Sequence, residues 1–162
     1  MSEVARVGFG YDAHPFVEGR KLFLCGVLVP HDRGLAGHSD GDVALHAICD
    51  AILGAACLGD IGELFPSDDP KYEGISSTFL LEHVVNLVRE AGYEVAQVDV
   101  VIVASAPKLS PHREAMRQRL SSIIGLPMDS VSVKAKTTNG LGFVGREEGI
   151  EAFAVVLLRR KA

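Results

Sequence analysis

The stretch DVALHAICDAILGAACL, residues 42–58, decides how the rest of the chain must fold. Val43, Ile48, Ala51, Ile52 and Ala55 recur with almost no breaker between them, and the spacing predicts a helix of about four turns. Ser39, three residues before Asp42, supplies a capping box at its start. So few positions are polar that the helix must be buried on most of its sides. Asp42, His46 and Asp50 stand at i, i+4 and i+8, so they form one polar stripe. A buried row of acid, imidazole and acid is costly for each unpaired charge, so it must be paired internally or coordinate something. Two readings stay open at this point: a capping Asp42 with a hydrogen-bonded core His46, or His46 as a metal ligand.

A buried helix needs a sheet to cover it, and the flanking sequence provides one. Toward the N-terminus, Val4–Tyr11 alternates, with Val7, Phe9 and Tyr11 on one side, and Leu22–Val29 is a β-rich run stopped by Pro30; both predict strands. Toward the C-terminus, Phe79, Leu80, Val84, Leu87 and Val88 predict a second helix over Ser77–Ala91, stopped by Gly92. A strand comes next over Val95–Ala104, and a third helix runs from the Ser110-Pro111 start to Gly125. Val131–Lys136 and Ile150–Arg159 predict two closing strands. No repeat, linker or low-complexity segment interrupts them. The expected architecture is a single α+β domain over residues 1–162, a mixed β-sheet with helices on one face and a ferredoxin-like topology.

Composition narrows the partners. The 162 residues are 48% hydrophobic and 23% charged, with 21 acids against 16 bases, a formal charge of −5. That length buries a core without disulfides, and a mean hydropathy of +0.22 excludes a disordered or collagen-like class. With no run of Lys or Arg, a nucleic-acid partner is not expected. Cys25, Cys49 and Cys57 are odd in number, lie in apolar contexts and form no C-x-x-C pair, which predicts buried free thiols. The N-terminal MSEVAR has no signal or transit character, and the longest apolar runs are too short for a bilayer, so a cytoplasmic location without membrane contact is expected.

Three clusters could carry chemistry. Asp12-x-His14 lies directly after the opening strand, and residues two apart in an extended chain project to the same side. Alone, D-x-H is more readily an accidental pair than a metal site, because the pattern recurs by chance. With His46 it becomes a two-histidine, one-carboxylate set with an open fourth position, which suits catalytic Zn²⁺ better than a closed structural site. The third cluster is TTNGLGFVGR, residues 137–146. It holds a literal G-x-G-x-x-G, but its glycines lead into a strand-like run to the C-terminus, so the strand–helix–strand unit of a dinucleotide site does not fit. A phosphate-handling turn built of backbone N–H groups and threonine hydroxyls, or a plain surface loop, remains. The turn-rich Gly59–Pro70 loop and the Ala104–Leu109 strand end complete the candidates.

Taken together, these segments resemble the 2-C-methyl-D-erythritol 2,4-cyclodiphosphate synthase family of the non-mevalonate isoprenoid pathway. The resemblance rests on GYDAH at 10–14, AGHSDGDVALH at 36–46, LGDIGELFP at 58–66, APKL at 106–109 and KTTNGLGFVGREEGI at 136–150, and covers essentially the whole chain. It implies a phosphorus–oxygen lyase that cyclises 4-diphosphocytidyl-2-C-methyl-D-erythritol 2-phosphate and releases CMP. It assigns Zn²⁺ to Asp12, His14 and His46 and a second Mg²⁺ or Mn²⁺ to the substrate diphosphate. His38 and Thr137 match the family's transition-state stabilisers. Asp12, His14, His38, Ser39, Asp60, Ile61, Gly62 and the run Phe65, Pro66, Ser67, Asp68, Asp69 match its methylerythritol-phosphate site. Ala104, Ser105, Ala106, Pro107, Lys108, Leu109, Ser110, Lys136, Thr137 and Thr138 match its cytidine diphosphate pocket, built in that family from the neighbouring subunit of a homotrimer. Phe143 and Arg146 match positions near the trimer axis, where a central cavity holds an isoprenoid diphosphate. Two departures stand out. Asn139 occupies the place of a usual Glu that ligates the second metal, leaving an amide oxygen without the charge; Ser67 replaces a common acid. A metal-dependent phosphohydrolase and a non-catalytic isoprenoid diphosphate-binding trimer are the competing readings, and neither explains all five motifs.

Overall fold

A computed structural model describes residues 4–162; Met1–Glu3, the start of the MSEVAR stretch, lies outside the described residues. In chain order the strands and helices are β1 (Arg6–Glu18), β2 (Leu22–Leu24), β3 (Val27–Val29), β4 (Arg33–Leu35), α1 (Val43–Ala56), α2 (Ile61–Leu64), α3 (Ser77–Glu90), β5 (Tyr93–Val103), α4 (Arg113–Ile124), β6 (Val131–Lys136), α5 (Gly142–Gly145) and β7 (Gly149–Arg160). The main sheet has the order β4-β1-β7-β5-β6, and only the β5–β6 pair is parallel.

The mixed sheet is as expected, but the topology is not ferredoxin-like. That fold alternates strand, helix, strand, strand, helix, strand. Here β5, α4 and β6 form a crossover whose two strands lie side by side and parallel at the sheet edge, and β7 then inserts between β1 and β5. A parallel neighbour requires a long connection across one face, and α4 supplies it.

The alternation of β1 sorts its side chains between two faces. Val7, Phe9 and Tyr11 project away from the helices and are exposed, joined there by Phe153 and Val155 of β7. Gly8 and Gly10 face α1, whose backbone comes so close that a Cβ on either would overlap a helix carbonyl oxygen, that of Ala51 or Ala47. All but two of the residues of α1 are buried, so the helix is wedged between the sheet and α3. The core runs from Leu45, Ile48 and Ile52 of α1 to Val84 and Val88 of α3, Met116 and Leu120 of α4, and Ile102, Val156 and Leu158 of the sheet. Burial of each such side chain contributes roughly 1.5–3 kcal/mol.

Several local expectations change. Leu22–Val29 is a two-stranded hairpin, because Cys25 and Gly26 turn at φ 52° and 72°. The cap of α1 is Asp42, which accepts from the Leu45 N–H, and not Ser39, whose hydroxyl is engaged elsewhere. Ser110 makes no side-chain cap; a short 3₁₀ turn over Ser110–His112 leads into α4. The Gly59–Pro70 loop contains α2, capped by Asp60. Cys25 and Cys49 are buried free thiols, but Cys57 is exposed, because it takes the left-handed position that ends α1. Among the described residues no helix is long and apolar enough to cross a membrane.

Candidate active site

β1 continues extended past Tyr11, so Asp12 and His14 project from the same face of the strand, toward the start of α1. There they meet His46. His14 Nε2 lies 2.7 Å from Asp12 Oδ2, His46 Nδ1 lies 3.0 Å from the same oxygen, and the two ring nitrogens are 3.1 Å apart. One carboxylate oxygen and two imidazole nitrogens within 4.8 Å of one another could hold a divalent metal ion, and their donor chemistry fits one. Burial alone would push the Asp12 carboxyl up, but hydrogen bonds and charge from His14 and His46 outweigh it and bring its pKa down to about 2. Burial lowers the His14 imidazole, yet Asp12 and the Ala36 backbone win and its pKa is raised.

The other two members of the polar stripe do different work. Asp42 is wholly buried and does not face the cluster; its carboxylate accepts from the N–H groups of Cys25 (3.0 Å), Gly26 (2.8 Å) and Leu45 (3.1 Å). It thereby clamps the β2–β3 hairpin to the start of α1. Burial pushes its pKa up to about 6, with Asp40 adding and the Gly26 and Leu45 N–H groups opposing. Asp50 accepts from the Ile61 N–H at 2.9 Å and so ties α2 to α1; burial raises its carboxyl pKa.

A pocket of about 260 Å³ opens in front of the cluster. It is lined by Asp12, His14, His38, Ser39, His46, Ile61, Gly62, Phe65 and Ser67 among the residues expected from the sequence, and by Tyr72, Ile75 and Leu80, which sequence reasoning missed. Aromatic contacts build its apolar wall: Phe65 packs edge-on against Tyr72 and His83. His38 is fixed from both sides. Its Nε2 meets the Asp69 carbonyl oxygen at 2.9 Å, and the Arg20 guanidinium donates to the carbonyls of Gly37 and Ser39. Asp60, Pro66, Asp68 and Asp69 stand in the same loop without lining the pocket.

This geometry appears in a chain with many relatives. The pattern of the YgbB family matches residues 5–159. The chain belongs to that family. The 2-C-methyl-D-erythritol 2,4-cyclodiphosphate synthase of Syntrophobacter fumaroxidans is 60% identical over 154 residues, 95% of this chain and 97% of its own. That of Methylococcus capsulatus is 56% identical over 156 residues, 96% of this chain and 99% of its own. A solved 2C-methyl-D-erythritol-2,4-cyclodiphosphate synthase in its CDP-bound form superposes with a TM-score of 0.87 at 44% identity, covering 94% of this chain and 99% of that one.

A second pocket of about 390 Å³ lies at the C-terminal ends of the parallel strands β5 and β6 of this YgbB-family chain. Ala104, Ser105, Pro107, Lys108, Leu109, Ser110, Lys136 and Thr137, all among the candidates from the sequence, line it together with Arg113 and Ala135. Three cationic side chains thus converge on one pocket of an acidic chain. Ser105 is held by donating to the Val144 carbonyl at 2.7 Å, so α5 braces the pocket floor. His38 and Thr137 line different pockets of the single chain and do not meet. Ala106, Thr138, Asn139, Phe143 and Arg146 lie outside both pockets; Asn139 sits at φ 55°, a left-handed position that Asn tolerates well, and Arg146 pairs with Glu148 at 3.0 Å.

Proposed function

We propose that this chain is a 2-C-methyl-D-erythritol 2,4-cyclodiphosphate synthase, converting 4-diphosphocytidyl-2-C-methyl-D-erythritol 2-phosphate to the cyclic diphosphate and CMP in the non-mevalonate isoprenoid pathway. The observation that carries it is the convergence of Asp12, His14 and His46 on the wall of a pocket in a chain 60% identical to a protein of that name. An oxygen of the 2-phosphate attacks the β-phosphorus, the bond from that phosphorus to the bridging oxygen of the α-phosphate breaks, and CMP leaves with that oxygen. Such a transfer asks the protein for in-line positioning and for neutralisation of the equatorial oxygens, and needs no protein nucleophile. A divalent metal, Zn²⁺ by its donor set, held by Asp12, His14 and His46 supplies that neutralising charge.

The chain's own residues divide the remaining work. His38, held by Arg20 and the Asp69 carbonyl, presents its ring to the pocket beside Ser39. The N–H groups and side chains around Ile61, Gly62 and Phe65 shape the space for the methylerythritol moiety, with Asp60, Pro66, Ser67, Asp68 and Asp69 around it. Lys108, Arg113 and Lys136 offer a cationic seat for the cytidine diphosphate, with the Thr137 hydroxyl beside them. A second Mg²⁺ or Mn²⁺ would be held mainly by the substrate diphosphate, because Asn139 offers only an uncharged amide oxygen.

The two pockets are separate in one chain, which supports a homotrimer in which a neighbouring copy brings Thr137 opposite His38. The exposed apolar face of Val7, Phe9, Tyr11 and Val155 suits the contact between copies, and Phe143 with Arg146 suits an isoprenoid diphosphate on the axis. The location is cytoplasmic. Phosphorus NMR of the products of the cytidyl substrate tests the reading. Cyclic diphosphate with stoichiometric CMP supports it; inorganic phosphate or an open monophosphate would make the chain a hydrolase.

A further inference from the structure

The outer nitrogen of His46 enters a chain of hydrogen bonds that the proposed reaction does not use. Nε2 lies 2.9 Å from Ser77 Oγ and 3.0 Å from Ser39 Oγ. Ser77 is the first residue of α3 and is wholly buried. Its hydroxyl donates to Asp40 Oδ1 at 2.5 Å, while its backbone N–H donates to Asp40 Oδ2 at 3.0 Å. Asp40 is itself held, since Oδ1 also accepts from the Asp42 N–H at 3.1 Å.

The hydrogen inventory settles the direction of this chain. A carboxylate only accepts, so the single hydrogen of the Ser77 hydroxyl is committed to Asp40, and toward His46 the Ser77 oxygen can only accept. Nε2 must therefore carry the hydrogen. In a neutral imidazole that leaves the lone pair on Nδ1, the nitrogen that faces Asp12 and His14. Ser39 cannot impose this, because its hydroxyl hydrogen is not committed to an acceptor-only group. Nor is the Ser77 hydroxyl needed to start α3, whose first N–H is satisfied by Asp40 through the backbone.

We propose that Ser77, oriented by Asp40, is a positioning residue that fixes the tautomer and ring plane of His46 and thereby sets the affinity of the Asp12–His14–His46 site for its metal. This rests on the reading of those three residues as ligands. Outer hydrogen-bond partners of ligating histidines typically contribute 10–100-fold in metal affinity.

The test uses the full chain, stripped of metal, with Zn²⁺ titrated against a chromophoric chelator, on wild type, Ser77→Ala and His46→Ala. Ser77→Ala removes the hydroxyl and keeps the backbone bond to Asp40. The expected result is zinc affinity weakened about 10- to 100-fold, with a correspondingly smaller rise in Tm on adding zinc. A merely structural serine would lower the Tm of the metal-free protein and leave the zinc affinity alone, and that outcome overturns the proposal. If Ser77→Ala folds poorly, Ser77→Cys, close in size but a weak hydrogen-bonding partner, must show the same direction of change. Unchanged zinc affinity in His46→Ala would instead overturn the ligand assignment itself, whereas loss there with a wild-type Ser77→Ala refutes only the positioning role.

Discussion

Gly10→Ala should damage the metal site without touching a ligand, because Gly10 sets the distance between the layer that carries Asp12 and His14 and the helix that carries His46. A Cβ on Gly10 would stand 2.8 Å from Ala51 N and 2.9 Å from the Ala47 carbonyl carbon, and closer still to the Ala47 oxygen; ordinary contact begins at 3.4 Å. These are backbone atoms of α1, which no rotamer change can move aside. The contact with the Ala47 oxygen is the tightest and sets the shift, so the helix must retreat from β1 by at least about 1 Å, and a packed interior transmits such a shift rather than absorbing it. Metal ligands tolerate about 0.2 Å. Overpacking of this kind costs about 1–3 kcal/mol, which at 2–4 °C per kcal/mol lowers Tm by about 2–12 °C. Thermal unfolding of the metal-free protein measures the first effect, and chelator competition for zinc the second, with at least a tenfold loss of affinity expected. A Gly10→Ala protein destabilised as stated but binding zinc like wild type would refute the claim that β1–α1 spacing sets the site; wild-type Tm would refute the packing argument as well.

Gly54 is the counterpart on the same helix: it is exposed, a Cβ there meets nothing within 4 Å, and Gly54→Ala should stabilise the chain by about 0.5–1 kcal/mol, read from urea unfolding, with zinc binding unchanged. Asp42 gives a pH signature. Its folded-state pKa of about 6 lies above the ordinary 3.8, so the folded chain holds the proton more tightly; that stabilisation is fully present below about pH 4 and is lost, by about 3 kcal/mol, as pH rises to 6. Asp42→Asn should remove that part of the slope from plots of unfolding free energy against pH, and an unchanged slope would show that the carboxyl does not titrate there. Lys136→Ala should raise KM for the cytidyl substrate about tenfold, the value of one charge-assisted contact, while zinc affinity stays as in wild type; steady-state kinetics decide it, and an unchanged KM would remove Lys136 from the nucleotide pocket.

Much of the fold and site is legible from residue spacing, and the remainder escapes for physical reasons. The period of α1 and the alternation of β5 and β7 report burial directly, so these elements stand within two residues of where the pattern puts them, whereas β1 does not end at Tyr11 but continues to Glu18 because its pairing with β7 carries on through Pro15. The hairpin turn does not show, because Cys25 takes a positive φ that a non-glycine residue seldom adopts. Strand order does not show either: whether β6 joins β5 or β1 depends on long-range pairing that local periodicity does not encode. In the site, Asp12 and His14 emerge from the two-residue repeat of an extended strand, and His46 from the helical stripe. The stripe could not say which of its members faces the ligand, and Asp42 and Asp50 turn out to serve backbone N–H groups. Arg20, Asp40 and Ser77 escape notice in the sequence because each acts through hydrogen bonds to partners distant along the chain.

The proposal that Asp12, His14 and His46 hold a metal on which cyclisation depends is tested most directly by His46→Ala assayed for CMP release at saturating Zn²⁺ and Mg²⁺. Among the described residues no other His, Cys, Asp or Glu joins this cluster to replace Nδ1 of His46, so turnover should fall by at least about a hundredfold in a protein that still folds. Turnover equal to wild type at saturating metal would contradict the assignment of the site.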